Sequence, residues 1–130
     1  MKRILIVLMS LFFLTACKKS TEQTNIVSDT VPVKPDSLVA TVIGASQVNL
    51  IWSDNSSNEL GFKVQRKSGS GNFADIASLD SNVSVFNDTG LTASTDYTYR
   101  VYAFNSYGNS SYSNEQSITT GVPGTNISFV

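Results

Sequence analysis

The chain has 130 residues, with nine Lys or Arg, ten Asp or Glu, no histidine and a formal net charge of −1. Without histidine, neither a Ser-His-Asp nor a Cys-His catalytic arrangement can be built, and metal sites lose their commonest ligand. A balance this close to neutral gives no polybasic surface, so we expect no nucleic-acid partner.

The N-terminal residues have the organisation of a bacterial secretory signal. Two cations precede an apolar run over residues 4–14, which is shorter than the ~20 residues that span a bilayer. The only cysteine, Cys17, follows the tripeptide Leu-Thr-Ala, and this sequence resembles the lipobox of bacterial lipoproteins. The resemblance implies cleavage before Cys17, a lipid on its sulfur and acylation of its new amine. We therefore predict a signal peptide over residues 1–16 and a bilayer as the partner of acylated Cys17.

The residues after the cut site predict a tethered single domain. Cleavage leaves 114 residues, seven of them basic and ten acidic, and this length suits one domain with one core. With its only thiol lipidated, the domain has to be stable without a disulfide. Residues 17–36 are polar, contain prolines and lack a hydrophobic period, so we predict a disordered tether. Lys18 resembles no inner-membrane retention signal, which favours the outer membrane.

Residues 37–120 consist of short β-like runs separated by turns. Residues 47–52 alternate, so that Val48, Leu50 and Trp52 share one face. The run over 97–104 divides into an inward face, comprising Tyr97, Tyr99, Val101 and Ala103. Its outward face comprises Thr98, Arg100, Tyr102 and Phe104. About seven short strands in fewer than 100 residues predict an all-β sandwich. Residues 121–130 form a C-terminal tail, either a terminal extension or a linker to a further module.

Several motifs along residues 35–121 are similar to those of fibronectin type III domains. They are Val48-x-Leu50-x-Trp52, Glu59-x-Gly61-Phe62-x-Val64-x-Arg66, Asp88-x-Gly90-Leu91 and Tyr97-x-Tyr99-Arg100-Val101-x-Ala103-x-Asn105-x-x-Gly108, with Ser110 and Ser113 after them. The resemblance implies a seven-stranded sandwich in which Trp52 lies across the core. It also implies that Leu91 packs under the ring of Tyr97, whose hydroxyl bonds back to nearby backbone. The lack of a cysteine pair favours this family over immunoglobulin domains.

Aromatic residues outside the predicted core are the candidate binding residues. Tyr102 and Phe104 point outward, and Tyr107 and Tyr112 come next in the adjacent loop region, close to the cation Arg100. Such a cluster can stack on a sugar ring or on a protein partner. The alternative is that Tyr102 and Phe104 brace the sheet as cross-strand pairs. We predict a protein- or glycan-binding or spacer module of the envelope.

The acidic residues give weaker alternatives. A turn cluster of Asp54, Asn55, Asn58 and Glu59 lacks the interleaved spacing of a calcium loop, so we predict no metal and no cofactor. Asp88 and Asp96 would form a glycosidase pair only beside a cleft, which so small a sandwich rarely has. We therefore predict no enzyme, with a carboxylate-based hydrolase or a structural subunit of an envelope complex as the alternatives.

Overall fold

The computed structural model describes residues 29–124, and these form two antiparallel sheets packed as a sandwich. The predicted signal peptide, Cys17 and residues 125–130 of the predicted tail lie outside these residues. The described part contains eight strands: β1 (Asp36–Ile43), β2 (Gln47–Ser53), β3 (Gly61–Ser68), β4 (Ala74–Asp80), β5 (Val85–Thr89), β6 (Asp96–Asn105), β7 (Gly108–Asn109) and β8 (Gln116–Thr119). The all-β sandwich is confirmed. The count exceeds the predicted seven by one, because the last edge of the second sheet is split into β7 and β8.

The strands divide between a three-stranded sheet and a five-stranded sheet. The three-stranded sheet has the order β1-β2-β5, and the five-stranded sheet has the order β4-β3-β6, with β7 and β8 both paired to β6. Every pairing is antiparallel. Among residues 29–124, the structure contains no helix with the length and hydrophobicity that a membrane span requires.

The core lies between the two sheets and reflects the alternation of the strands. Val48 and Leu50 of β2 are fully buried and face Phe62 and Val64 of β3. The ring of Trp52 lies 5.9 Å from that of Phe62, measured between centroids, and the two rings are tilted by 57°. The inward residues of β6 complete the core: Tyr97, Tyr99, Val101 and Ala103. The long strands β2 and β6 therefore contribute alternate residues to one shared apolar layer.

Two buried serines explain why the last edge is split. The backbone N–H groups of Ser110 and Ser113 donate to the carbonyls of Ala103 and Val101, both at 2.8 Å. The serine hydroxyls in turn accept the N–H groups of the same two residues, both at 2.9 Å. Because the hydroxyls replace backbone carbonyls, the edge remains hydrogen-bonded while the chain departs from regular strand geometry. The need for a hydroxyl acceptor at these two positions accounts for Ser110 and Ser113 in the sequence motif.

The ordered domain begins earlier than predicted. The composition predicts a disordered tether that ends at residue 36, but residues 30–35 lie against the domain. The Thr30 carbonyl accepts hydrogen bonds from the amides of Asn58 and Asn105, both at 2.9 Å, and Pro35 is fully buried. The predicted end of the tether is therefore wrong. Asparagine side chains from distant loops donate hydrogen bonds to the backbone of this segment, although its local composition is typical of unstructured chain.

The C-terminal end of the domain is also held by hydrogen bonds. The N–H of Gly121 donates to the carbonyl of Gly44, and its own carbonyl accepts from the N–H of Ser94, both at 3.0 Å. These partners lie in the β1–β2 turn and the β5–β6 connection. The N-terminal segment contacts the opposite end of the sandwich, so the chain enters and leaves the domain at different poles.

Candidate binding surface

The outer face of the five-stranded sheet carries an arginine held between two aromatic rings. The guanidinium carbon of Arg100 lies 3.9 Å from the ring centroid of Phe73 and 3.6 Å from that of Tyr112. Arg100 points outward from β6, while Phe73 lies just before β4 and Tyr112 lies between β7 and β8. We call Phe73, Arg100, Tyr102 and Tyr112 the aromatic–cation cluster. Distances this short are favourable for attraction between a cation and the ring faces.

Hydrogen bonds fix the orientation of the arginine. Its Nε donates to Oε1 of Gln65 at 2.8 Å, and Nε2 of Gln65 donates to Oδ1 of Asp75 at 2.8 Å. Its Nη1 lies 3.7 Å from a carboxylate oxygen of Glu115. The guanidinium plane is therefore set by two neighbouring strands and by the segment before β8. A ring stacked on such a plane loses little further freedom when it contacts a partner.

Tyr102 supports this cluster from below. Alternation places Tyr102 on the outward face, either as a contact residue or as a brace of the sheet, and Tyr102 is only 7% exposed. The ring of Tyr112 shields Tyr102 from solvent through an edge-to-face contact at 5.5 Å between centroids. The Tyr102 hydroxyl donates to Asp75 at 3.2 Å. Burial first, and then the charge of Asp75, raise the pKa of Tyr102 to about 12. Tyr102 is thus a buried support on the outer side of the sheet.

Phe104 and Tyr107 have other surroundings. The half-buried ring of Phe104 lies over Gly61, which is its paired residue on β3. Gly61 has no room for a side chain, because a Cβ there would meet the Leu79 carbonyl. Lys63 lies 5.8 Å from the Phe104 ring centroid. Tyr107 is 52% exposed, and its hydroxyl donates to the carboxylate of Asp29 at the N-terminal pole. That hydrogen bond raises the pKa of Tyr107. The structure therefore does not add Tyr107 to the aromatic–cation cluster.

Phe73 is the cluster residue that the sequence interpretation missed. It comes after the Gly- and Ser-rich turn that ends β3 and belongs to no alternating run, so periodicity says nothing about its direction. The useful signal was its position in a loop directly before a strand, where a large ring can fold back over the sheet. Tyr112, at 42% exposed, is the most accessible ring of the cluster, and Phe73 is half-buried.

The residues predicted to be structural lie in the core. Trp52, Leu91 and Tyr97 are all buried, and the backbone N–H of Thr92 donates to the Tyr97 hydroxyl at 3.1 Å. This bond ties the β5–β6 connection to the start of β6. The indole N–H of Trp52 has no hydrogen-bond partner among the described residues.

The two aspartates considered for catalysis have different roles. The carboxylate of Asp88 is buried, lies 2.7 Å from Nη1 of Arg66 and accepts the hydroxyl of Tyr99 at 2.8 Å. Burial and then the bond to Asp88 raise the pKa of Tyr99 well above its usual range. Asp96 is exposed beside an open depression and accepts the Thr119 hydroxyl at 2.6 Å. Asp88 therefore links the two sheets, and it does not share a cleft with Asp96.

The carboxylates of the acidic turn after β2 also accept hydrogen bonds from groups of the same chain. Glu59 accepts the hydroxyl of Ser56 at 2.7 Å and the backbone N–H of Asn82 at 3.2 Å. Burial alone would raise the pKa of Glu59, but these bonds outweigh it and the pKa is lowered. Asp54 accepts the N–H of Ser56 at 3.0 Å. No group of three metal-ligating side chains occurs within residues 29–124.

Comparisons with known proteins agree with this geometry. A family model described as "Fibronectin type III domain" matches residues 33–119. An alpha-amylase from Niallia circulans is 38% identical over 80 residues, which make up 60% of this chain and 6% of that protein. The chain therefore spans only a small part of that relative.

Solved structures show the same fold. The FN1–FN3 domains of chicken CNTN1 have a TM-score of 0.63 at 23% identity, covering 71% of this chain and 33% of that one. The fibronectin type-III domain of human fibronectin type III domain containing protein 3 has a TM-score of 0.61 at 24% identity. That match covers 77% of this chain and 95% of the human one.

Proposed function

The chain belongs to the fibronectin type III family, and we propose that it acts as a lipid-anchored binding module of the bacterial cell envelope. Domains of this family are typically structural or binding modules without catalysis, and the fold alone does not specify a ligand. The observation that carries the proposal is the aromatic–cation cluster on the five-stranded sheet. The partner is a protein or a glycan.

The cluster has the physical properties of a contact surface. Tyrosine and arginine are enriched at interface positions with large energetic effects, because they combine area with polar contacts. Tyr112 presents an accessible ring whose position is set by Arg100 on its face and Tyr102 at its side. A surface fixed in advance loses less conformational entropy on binding than one formed by mobile side chains. The module within an alpha-amylase is a reason to include glycans among the probes.

The lipid anchor is the second part of the proposal. Cys17 comes after an apolar run and the tripeptide Leu-Thr-Ala, as in a lipobox. More than one acyl chain makes membrane attachment durable, because each buried CH₂ contributes about 0.8 kcal/mol. The thirteen residues from Cys17 to Asp29 are joined by twelve chain steps, which span at most about 43 Å. The N-terminal pole of the domain would therefore lie within that distance of the bilayer.

Binding is tested by capture from intact cells after crosslinking, with the full chain carrying an affinity tag. The double variant Phe73→Ala/Tyr112→Ala removes both rings that hold Arg100 and should reduce capture of the partner at least tenfold. Tyr107→Ala is the matched control, since it removes an exposed tyrosine outside the cluster. Equal capture by wild type and the double variant, with all three proteins folded at the assay temperature, would refute the binding surface.

A spacer is the second candidate function, because the chain enters and leaves the domain at opposite poles. Residues 30–35 and Gly121 are both held by hydrogen bonds, so the domain would keep its N-terminal and C-terminal flanking segments a fixed distance apart. A spacer requires no contact by Tyr112. Capture that is unchanged in the double variant therefore favours the spacer.

Anchoring is tested separately with Cys17→Ser. Wild type should be recovered in the membrane fraction as a processed, acylated protein, whereas the variant should be unprocessed or soluble. Incorporation of radiolabelled palmitate gives the direct measurement. A variant that is still processed, acylated and membrane-bound would refute the role of Cys17.

A further inference from the structure

The outer face of the three-stranded sheet differs from that of its partner because it is uncharged. Ten residues point outward after the bulge at the start of β1, and none carries a charge: Val39, Thr41, Ile43, Gln47, Asn49, Ile51, Ser53, Val85, Asn87 and Thr89. The charged residues of these strands are Asp36, which precedes the bulge, and Asp88, which is buried.

Three aliphatic side chains form a continuous row across this face. Val39 of β1 is paired with Ile51 of β2, which is paired in turn with Val85 of β5. They are 45%, 50% and 49% exposed. Directly paired residues have Cβ atoms about 4.5–5.5 Å apart, so the three side chains make one apolar stripe. Beside the stripe, the amide of Asn49 donates to that of Asn87 at 2.8 Å.

An uncharged face of this kind fits a second copy of itself. In a twofold interface each residue near the axis meets its own equivalent, so any charge there would meet a like charge. The outer face of the five-stranded sheet contains Lys63, Lys67, Asp75 and Arg100 and is unsuited to that arrangement. On the three-stranded sheet, aliphatic side chains would meet aliphatic side chains, and amides would meet amides that both donate and accept.

We propose that the chain pairs with a second copy through the outer face of the three-stranded sheet, with Asn49 and Ile51 near the twofold axis. Three strands about 4.8 Å apart and roughly seven residues long cover about 330 Å² per copy in projection. Stable interfaces bury roughly 1,200–2,000 Å² in total. The pair is therefore weak in dilute solution and forms where copies are concentrated. Its formation on a membrane rests on the proposed anchoring through Cys17.

The experiment places one reporter thiol on each face. The acylated full chain carrying Asn49→Cys is reconstituted in vesicles of phosphatidylethanolamine and phosphatidylglycerol and mildly oxidised. Ser78→Cys is the matched control, because Ser78 is exposed on the outer face of the five-stranded sheet. Disulfide-linked dimer should form at least five times faster with Asn49→Cys. Adding Ile51→Lys to Asn49→Cys should reduce its rate to that of the control.

Other occupants of the face give different results. Equal rates for the two thiols, or no effect of Ile51→Lys, would overturn the proposal. So would an Asn49→Cys thiol that is protected from maleimide at high dilution, since a segment of the same chain would then cover the face. A separate arm examines the unacylated Cys17→Ser chain by sedimentation, which should show a reversible dimer at high concentration that Ile51→Lys abolishes. This arm does not depend on anchoring or on the aromatic–cation cluster, so its failure is distinguishable from theirs.

Discussion

The two sheets share one core but present different outer faces. On the five-stranded sheet, charged and aromatic side chains contact each other, as in the stacking of Arg100 between Phe73 and Tyr112. On the three-stranded sheet, Val39 and Ile51 are aligned but remain exposed to solvent. The difference shows that an outward position in a strand does not determine how a side chain is used. We propose the charged and aromatic face as the contact for a different molecule, and the uncharged face as the contact for a second copy of the chain.

The largest expected effect comes from the core that supports both faces. Trp52 belongs to the three-stranded sheet and packs on Phe62 of the five-stranded sheet, so Trp52→Ala should lower the free energy of unfolding by about 3–5 kcal/mol. Urea titration monitored by circular dichroism measures this loss. The neighbouring variant Ile51→Ala changes an exposed position and should cost less than about 1 kcal/mol. Similar costs for the two variants would mean that Trp52 is not a core residue.

A smaller loss is expected at the connection between the two sheets. Tyr97→Phe keeps the ring but removes the hydroxyl that accepts the N–H of Thr92, and it should cost about 1–2 kcal/mol. Capture of a partner, measured well below the melting temperature, should not change. An unaltered stability together with lost capture would instead make Tyr97 a contact residue.

The coupling within the aromatic–cation cluster should be smaller still. A double-mutant cycle of Arg100→Ala and Tyr112→Ala should give a coupling free energy of about 0.5–1 kcal/mol. The control cycle pairs Tyr112→Ala with Ile51→Ala, which lie on opposite faces and should be additive within about 0.3–0.5 kcal/mol. If the two cycles give the same value, the stacking seen in the structure contributes nothing, and the contrast between the faces is lost.

The last effect is confined to the alkaline part of the stability curve. The pKa of Tyr102 in the folded protein is raised from 10.0 to about 12. The neutral hydroxyl therefore contributes fully to the free energy of unfolding below pH 10, and this contribution is lost as the pH rises through 12. Wild type should therefore lose more stability over this interval than Tyr102→Phe does. Asp75→Asn should lie between them, since it removes the charge but not the burial. Parallel curves for wild type and Tyr102→Phe would contradict both the burial of the Tyr102 hydroxyl and its contact with Asp75.

The alternation of the strands was sufficient to predict most of the fold. It identified the inward faces of β2 and β6, and the corresponding residues are buried. Alternation could not identify Phe73, because a loop has no period. It also could not predict the burial of Tyr102, because that depends on the ring of Tyr112, ten residues later in the chain. It also missed the docking of residues 30–35, since that depends on Asn58 and Asn105, which are distant in sequence.

Site-specific photocrosslinking from the two faces tests the central contrast most directly. A photoreactive phenylalanine analogue replaces Phe73 on the five-stranded sheet in one full-length chain and Val85 on the three-stranded sheet in another. After irradiation of intact cells, the first chain should be linked to a different molecule, and the second should be linked to a second copy of itself. The same products from both positions, or no product from position 73, would contradict the assignment of separate roles to the two faces.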